Sequence, residues 1–439
     1  MNPLQAGAAR THITPPVGVY LCGFGGREGP STGVHDDLRG CALYLHNGET
    51  ELVIITAVII GFSRDEVARI RAGVQDRTGV PPSNVMVSSS HTHSGPVTTG
   101  IRYLGEPDLE YLAATFAKLA DLAAEARAKA VPAQAGTARV DVLCGINRRQ
   151  VSGNAIVLGV NEAGLTAPYA DVLYVDDMAG QPLARLFCHA AHAVTMGGDN
   201  LLISGDWPGY AQRGVEHHYG GDCVAMFMQG CCGNINSHPR GDFAAAEASG
   251  KQMTAAVAGG DAGTTRHSEL PLAAASRPVE LPLMAPPPLA EAEQQLANYV
   301  ERARSAESDN WGMRRMYEGM AEWAQEIVDL ARDPRPGRTV LFEIQALRVG
   351  DMGIVGLPGE VFVEYALNID AASPLAHTAV PAYTNGNVGY VANASAYPEG
   401  GYELTGAIPF YGTTIPAPES EQIILSEAAH ALAEVTAGS

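Results

Sequence analysis

Runs of Val, Ile and Leu without polar alternation recur along this chain, and they constrain its fold more than any other feature. Glu51-Leu52-Val53-Ile54-Ile55-Thr56-Ala57-Val58-Ile59-Ile60 and Asn84-Val85-Met86-Val87-Ser88-Ser89-Ser90 read as strands covered on both faces. Between them, 63–79 carries apolar residues at helical spacing behind a capping Ser63. Strand, helix and strand predict a crossover unit. A second helix is expected over about 107–131, rich in Ala, Leu, Glu and Lys. Further strands are expected at 138–142, 172–175, 183–188, 224–228, 340–349 and 353–356, with a helical stretch at 207–219. Pro286-Pro287-Pro288 then introduces two helix-like segments, 289–305 and 311–332, closed by Asp333-Pro334-Arg335-Pro336. The expectation is an α/β protein of mixed sheets with covering helices. It forms one domain over 1–439, with a helical insertion at 286–336 that serves as a surface hairpin or lid.

Composition narrows the partners. Of 439 residues, 46% are hydrophobic and 17% charged, enough apolar material for a large core. The 28 Lys+Arg stand against 48 Asp+Glu, a net charge of −20, and no basic run occurs. Nucleic acid and anionic membrane surfaces are therefore poor partners. No apolar run approaches the ~18 residues of a membrane-spanning helix. The opening Met1-Asn2-Pro3-Leu4-Gln5-Ala6-Gly7 lacks the basic head and apolar stretch of a signal peptide, so a cytoplasmic location is expected. Seven irregularly spaced Cys without a CxxC predict reduced thiols and no thiolate zinc cage.

The residues able to do chemistry cluster where apolar strands end. In Ser88-Ser89-Ser90-His91-Thr92-His93-Ser94-Gly95-Pro96, histidines at i and i+2 of an extended segment project to one side. Such a pair places a metal ligand beside a second ligand or a proton-transfer group, or else is a satisfied polar strand end. Its position at the carboxyl end of a strand is where α/β folds put their clefts. Cys188-His189-Ala190-Ala191-His192-Ala193-Val194-Thr195-Met196-Gly197 puts two more histidines at another strand end, each readable as core residue or ligand. Asp206, in Ser204-Gly205-Asp206-Trp207, is placed to cap the following helix. Three more segments complete the set: Gly356-Leu357-Pro358-Gly359-Glu360, the loop from Tyr390-Val391 through Tyr397 to Tyr411-Gly412, and the turn Gly230-Cys231-Cys232-Gly233-Asn234-Ile235-Asn236-Ser237-His238.

In this order the five segments resemble the neutral (non-lysosomal) ceramidase family, zinc-dependent amidases that hydrolyse the N-acyl bond of ceramide. The similarity runs from Ala9-Arg10-Thr11-His12-Ile13-Thr14-Pro15 to about Tyr411. It implies a ceramidase-like catalytic domain whose Zn2+ is held by His91, His192, Glu360 and Tyr397. It implies that His93 and Tyr411 polarise the substrate carbonyl or transfer protons, and that Arg148, in Gly145-Ile146-Asn147-Arg148, belongs to the site. Two imidazoles, a carboxylate and a weak tyrosine oxygen leave zinc an exchangeable position. Zinc there acidifies a bound water and polarises the scissile carbonyl. Arg148, facing the cleft, would bind a substrate carboxylate or phosphate bidentately.

The chain also departs from that family. The family's Gly-Asp-x-Ser-Pro-Asn, whose serine is regarded as the nucleophile, reads Gly233-Asn234-Ile235-Asn236-Ser237-His238 here. Asn236 at the serine position is no nucleophile, and Ser237, one residue later on an extended backbone, points to the other side. The expectation is attack by zinc-bound hydroxide without an acyl-enzyme, with Asn236 orienting substrate or an oxyanion. The β-sandwich domain and leader of the ceramidases are not found, which shifts the expected substrate to a small soluble N-acyl amide or lactam-like compound. The competing readings are an esterase or lactonase on the same zinc site, a true ceramidase, and a non-catalytic binding protein that kept the fold. A small-molecule amide or ester is the expected partner, and a homo-oligomer is left open.

Overall fold

The computed structural model describes residues 3–98, 100–220, 222–306, 311–412 and 414–437; Met1, Asn2 and the 307–310 part of the helical insertion lie outside them. An eight-stranded mixed sheet runs in the order Val224–Gln229, Pro182–His189, Tyr169–Asp177, Val131–Asp141, Gln5–His12, Arg39–His46, Glu51–Ala57 and Val85–Ser89. Its middle joint is narrow, Gln5 pairing with Pro132 and Ala6 with Val131, and the two halves fold over to face each other. Cys41, Leu43, Leu45, Ile54 and Met86 of one half pack with Leu173, Val175, Leu186, Met226 and Met228 of the other.

Alternate residues face outward. Tyr44, Val53, Ile55 and Val87 lie beneath helices Arg64–Thr78 and Leu109–Ala128. Val172, Tyr174, Phe187 and Phe227 lie beneath Asp206–Tyr219 and Phe243–Asp261. The layers therefore run helix, sheet, sheet, helix, and both faces of each strand are covered, which is why the strands read as unbroken apolar runs.

Each half contains one parallel pair joined by a crossover. Glu51–Ala57 lies parallel to Val85–Ser89 through helix Arg64–Thr78, which starts on a Ser63–Glu66 capping box and stops at Gly79, φ 77°. Pro182–His189 lies parallel to Val224–Gln229 through Asp206–Tyr219. His91 follows the end of the first pair and His192 the end of the second.

A further sheet, Leu272–Pro282, Thr339–Val349, Met352–Gly356 and His377–Ala379, packs with helices Val363–Ala371 and Ser420–Thr436. Its first two strands pair antiparallel along their whole length, and between them the chain inserts a helical hairpin, Leu289–Ser305 and Trp311–Arg332. The hairpin covers loops next to the histidines. Met320 packs with Cys22, Ile60, Ile101, Leu104 and Phe410. A Cβ on Gly312 would lie 2.4 Å from the Arg27 carbonyl oxygen, and one on Gly319 2.3 Å from the Tyr103 ring. Among the described residues no helix is long and apolar enough to cross a membrane, and all seven cysteines are buried and free.

Candidate metal centre

Three separate parts of the chain meet where the two sheet halves and the third sheet join. His91 leaves strand Val85–Ser89 in a left-handed conformation, φ 58°. His192 is held by a bridge to Asn236, its N–H donating to the Ile235 carbonyl at 3.1 Å. Glu360 and Val361 form a short strand parallel to Tyr390 and Val391, and the register sets Glu360 opposite Tyr390, so both side chains leave on one side. The segment 380–385 then crosses between the ends of the parallel pairs. The Ala382 N–H donates to Gln229 O at 2.9 Å, the Ser89 N–H to Tyr383 O at 3.3 Å, and the Asn385 N–H to Val87 O at 2.8 Å. Tyr383 sits at the crossing with φ 50°.

His91, His93 and His192 offer ring nitrogens that all lie within 4.8 Å of one another. His91 Nδ1 donates to the Ile60 carbonyl at 2.7 Å, and His192 Nδ1 to those of Cys232 and Ile235 at 2.6 and 3.0 Å. Those bonds fix the tautomer and turn both Nε2 lone pairs inward, as the outer bonds of metal-ligating histidines do. His192 Nε2 stands 3.1 Å and His91 Nε2 3.6 Å from Glu360 Oε2, and His93 Nε2 stands 3.2 Å from His91 Nε2. Tyr383 donates to Glu360 Oε2 at 3.2 Å and stacks on the His91 ring, while the Tyr411 hydroxyl donates to Glu360 Oε1. The cavity beside these groups is small, about 40 Å³, and is lined by His91, His93, Glu360, Tyr390, Tyr402 and Tyr411 among others.

Burial raises the Glu360 carboxyl, but His91 and His192 outweigh it and hold the group well below the carboxylate range. Burial, and then Arg148, lowers His192 to about 4. Burial, reinforced by His91 and His192, lowers His93 well below the usual imidazole range. His93 Nδ1 is buried without a hydrogen-bond partner. Neutral imidazoles beside an ionised carboxylate and phenol oxygens form a donor set suited to a zinc-like cation. The residues present fit such an ion.

Among the residues singled out in the sequence, His91, His93, His192, Glu360 and Tyr411 come together here. Tyr397 does not: it lies in a short 3-10 turn, and its hydroxyl donates to the Pro416 carbonyl. The tyrosine oxygens at the centre belong instead to Tyr383, Tyr390 and Tyr411. Arg148 is near the centre but not free. Its three nitrogens donate to Glu403 at 2.9 Å, Asn236 Oδ1 at 3.2 Å and the Tyr390 hydroxyl at 2.9 Å. It therefore positions Tyr390 and has no arm left for bidentate binding of a substrate carboxylate. Asn236, through the same bond, braces Arg148. Ser237 turns toward Thr195, 3.3 Å between hydroxyl oxygens. Asp206 is the first residue of its helix, after Gly205, rather than its cap. At φ 55° its carboxylate accepts the N–H of Trp207 at 2.6 Å and of Thr195 at 2.8 Å, and the Trp207 indole donates to the His192 carbonyl at 3.2 Å.

Sequence reasoning missed Tyr383 and Tyr390. Tyr390 opens the very strand that marked the loop, and its pairing opposite Glu360 was the missing signal. Tyr383 carries no local signal, because the crossing that places it is tertiary. His91, Asp206 and Tyr383 are also three of the five described non-glycine residues with left-handed backbone. Such conformations cost about 1–3 kcal/mol each and gather at functional sites.

No family model matches the chain. A search of curated proteins finds a 178-residue match, 28% identical, to neutral ceramidase A of Dictyostelium discoideum; it covers 36% of this chain and 24% of that protein. Among solved structures, neutral ceramidase from Pseudomonas aeruginosa superimposes with a TM-score of 0.72 at 21% identity, covering 99% of this chain and 75% of that one. A structure described as ceramidase complexed with C2 gives the same TM-score and coverage at 20% identity.

Proposed function

From a chain that has the neutral ceramidase fold and gathers two inward-facing imidazoles around a buried carboxylate, we infer a zinc-dependent hydrolase of amide C–N bonds. The observation that carries this reading is the convergence of His91 Nε2, His192 Nε2 and Glu360 Oε2, with each imidazole's outer nitrogen tied to a backbone carbonyl. His91, His192 and Glu360 would hold the ion, with a tyrosine oxygen from Tyr383, Tyr390 or Tyr411 completing the set. A zinc ion held there would supply acidification of a bound water and polarisation of a carbonyl.

The rest is the work of this chain's own residues. His93, neutral and lining the cavity, takes up or returns a proton at its Nε2. The Tyr411 hydroxyl, whose pKa burial and Glu360 push well above the phenol range, keeps its proton and donates to Glu360 Oε1. Arg148, braced by Glu403 and Asn236, holds the Tyr390 hydroxyl beside Glu360. Ser237 faces Thr195, which supports a reaction without a serine nucleophile. The substrate class is a small soluble N-acyl amide or lactam-like compound, and the protein acts in the cytoplasm.

Metal analysis of protein purified without added metal tests the reading. About one zinc per chain is expected, lost in His91→Ala and His192→Ala together with hydrolysis of an N-acyl amide. A chain that binds no zinc, or a His91→Ala protein that hydrolyses the amide at the wild-type rate, overturns it. Matched amide and ester substrates separate an amidase from an esterase.

A further inference from the structure

A small three-stranded sheet, Ile235–Ser237, Gly145–Ser152 and Ala155–Asn161, stands apart from the layers described above. Its middle strand carries Arg148 and Arg149, both bonded to Glu403. Its last strand, Ala155-Ile156-Val157-Leu158-Gly159-Val160-Asn161, is an edge: it pairs with Gly145–Ser152 on one side and, among the described residues, with no strand on the other. Every second residue of an edge strand turns its N–H and C=O outward, a ready template for another strand.

This edge carries little of the protection that edges usually have. Residues 150–161 contain no charge and no proline. The ladder is regular from Ala155 to Leu158, opposite Ser152 to Arg149, and its irregularity lies beyond that stretch. The surface around it is apolar. Of the fourteen large hydrophobic side chains exposed among the described residues, six lie between Leu143 and Leu165. Val151 is 70% exposed, Leu158 50% and Val160 46%. Clusters of this kind mark an interaction surface, whereas scattered exposed apolar residues do not.

The chemistry selects the occupant. A membrane-inserting hairpin anchors with Trp, Tyr, Lys or Arg, and 150–165 has none of them, in a chain of net charge −20. Two copies of so acidic a chain repel each other except where the surface is neutral, and residues 150–161 carry no charge. A two-fold axis at an antiparallel edge pairs the strand with itself, matching backbone donors to acceptors and apolar side chains to apolar side chains. We propose that the strand Ala155–Asn161 is the interface of a homodimer, pairing antiparallel with its own copy. The dimer then backs the strand that holds Arg148, and through it Tyr390.

Light scattering on the full-length protein over a concentration series tests this. The wild type is expected at twice 46.0 kDa. A Val157→Lys, Leu158→Lys double variant, which would put like charges on both faces of the paired edge, is expected to be monomeric, its dissociation constant raised about 100-fold or more. Val17→Lys, an exposed site elsewhere, is expected to leave the dimer intact, and unchanged thermal midpoints show that both variants fold. A wild type that stays monomeric at about 50 µM, well above a micromolar dissociation constant, overturns the proposal. So does a dimer that the double variant leaves intact, or a monomer that floats with phosphatidylcholine vesicles through these residues.

Discussion

Tyr383 and Tyr397 show what a single residue can and cannot disclose. Both belong to the C-terminal part of the chain, where the resemblance called for a tyrosine, and local spacing favoured Tyr397. The histidines were legible because each follows an apolar strand, and the end of a buried strand is a place sequence can mark. Glu360 was legible for the same reason, behind Met352–Gly356 and its Pro-Gly turn. The tyrosine was not, since hydrogen bonds to Gln229, Ser89 and Val87 put Tyr383 in place. The two residues therefore make a paired test. Tyr383→Phe removes a donor to Glu360 and is expected to weaken metal binding about 10- to 100-fold in chelator competition, the range for groups that orient metal ligands. Tyr397→Phe is expected to leave metal affinity unchanged, with at most about 1 kcal/mol lost in denaturant unfolding for its bond to Pro416.

At the level of elements, hydrophobic periodicity located six of the eight strands of the large sheet and the crossover helices, because burial on both faces writes itself into composition, but not Gln5–His12 or Arg39–His46. It did not disclose that the eight strands form two halves folded face to face. That arrangement depends on the narrow joint at Gln5 and Ala6, a feature of pairing with no composition of its own. The helical insertion was visible between its proline runs, but its location over the site was not. Gly312 and Gly319 hold it there, since only a missing side chain lets the helix approach Arg27 and Tyr103 so closely. Gly312→Val is therefore expected to cost about 1–3 kcal/mol and to lift the hairpin. Limited proteolysis should then cut within Leu289–Arg332 faster than in the wild type, whereas equal rates would mean that the contact carries little weight.

For the whole molecule, buried histidines are expected to set the acid limit. His189 lies beside the centre but faces away from it, its Nδ1 donating to Tyr169 O at 2.7 Å and its Nε2 accepting the Cys144 N–H at 3.2 Å. Burial lowers its pKa from 6.5 to about 4. A depressed folded-state value means that the unfolded chain binds the extra proton first, so stability present above pH 6.5 is lost as pH falls toward 4. Asp206, which burial raises to about 6, works in the opposite direction between 3.8 and 6, because there the folded chain holds the extra proton. Thermal melts of metal-free protein from pH 7 to 4 should show a falling midpoint. His189→Asn, which keeps a donor for Tyr169 but cannot take up the proton, should start lower and fall less steeply; an unchanged slope would assign the acid limit to other groups.

The order in which the chain is made gives the crossing segment a further meaning. A ribosome releases His91 and His192 long before Glu360 and Tyr383, so an ion held by these imidazoles would lack its carboxylate until those emerge. If the centre takes an ion, its uptake would be a late event of biogenesis, after synthesis has passed residue 385 and the sheets have docked.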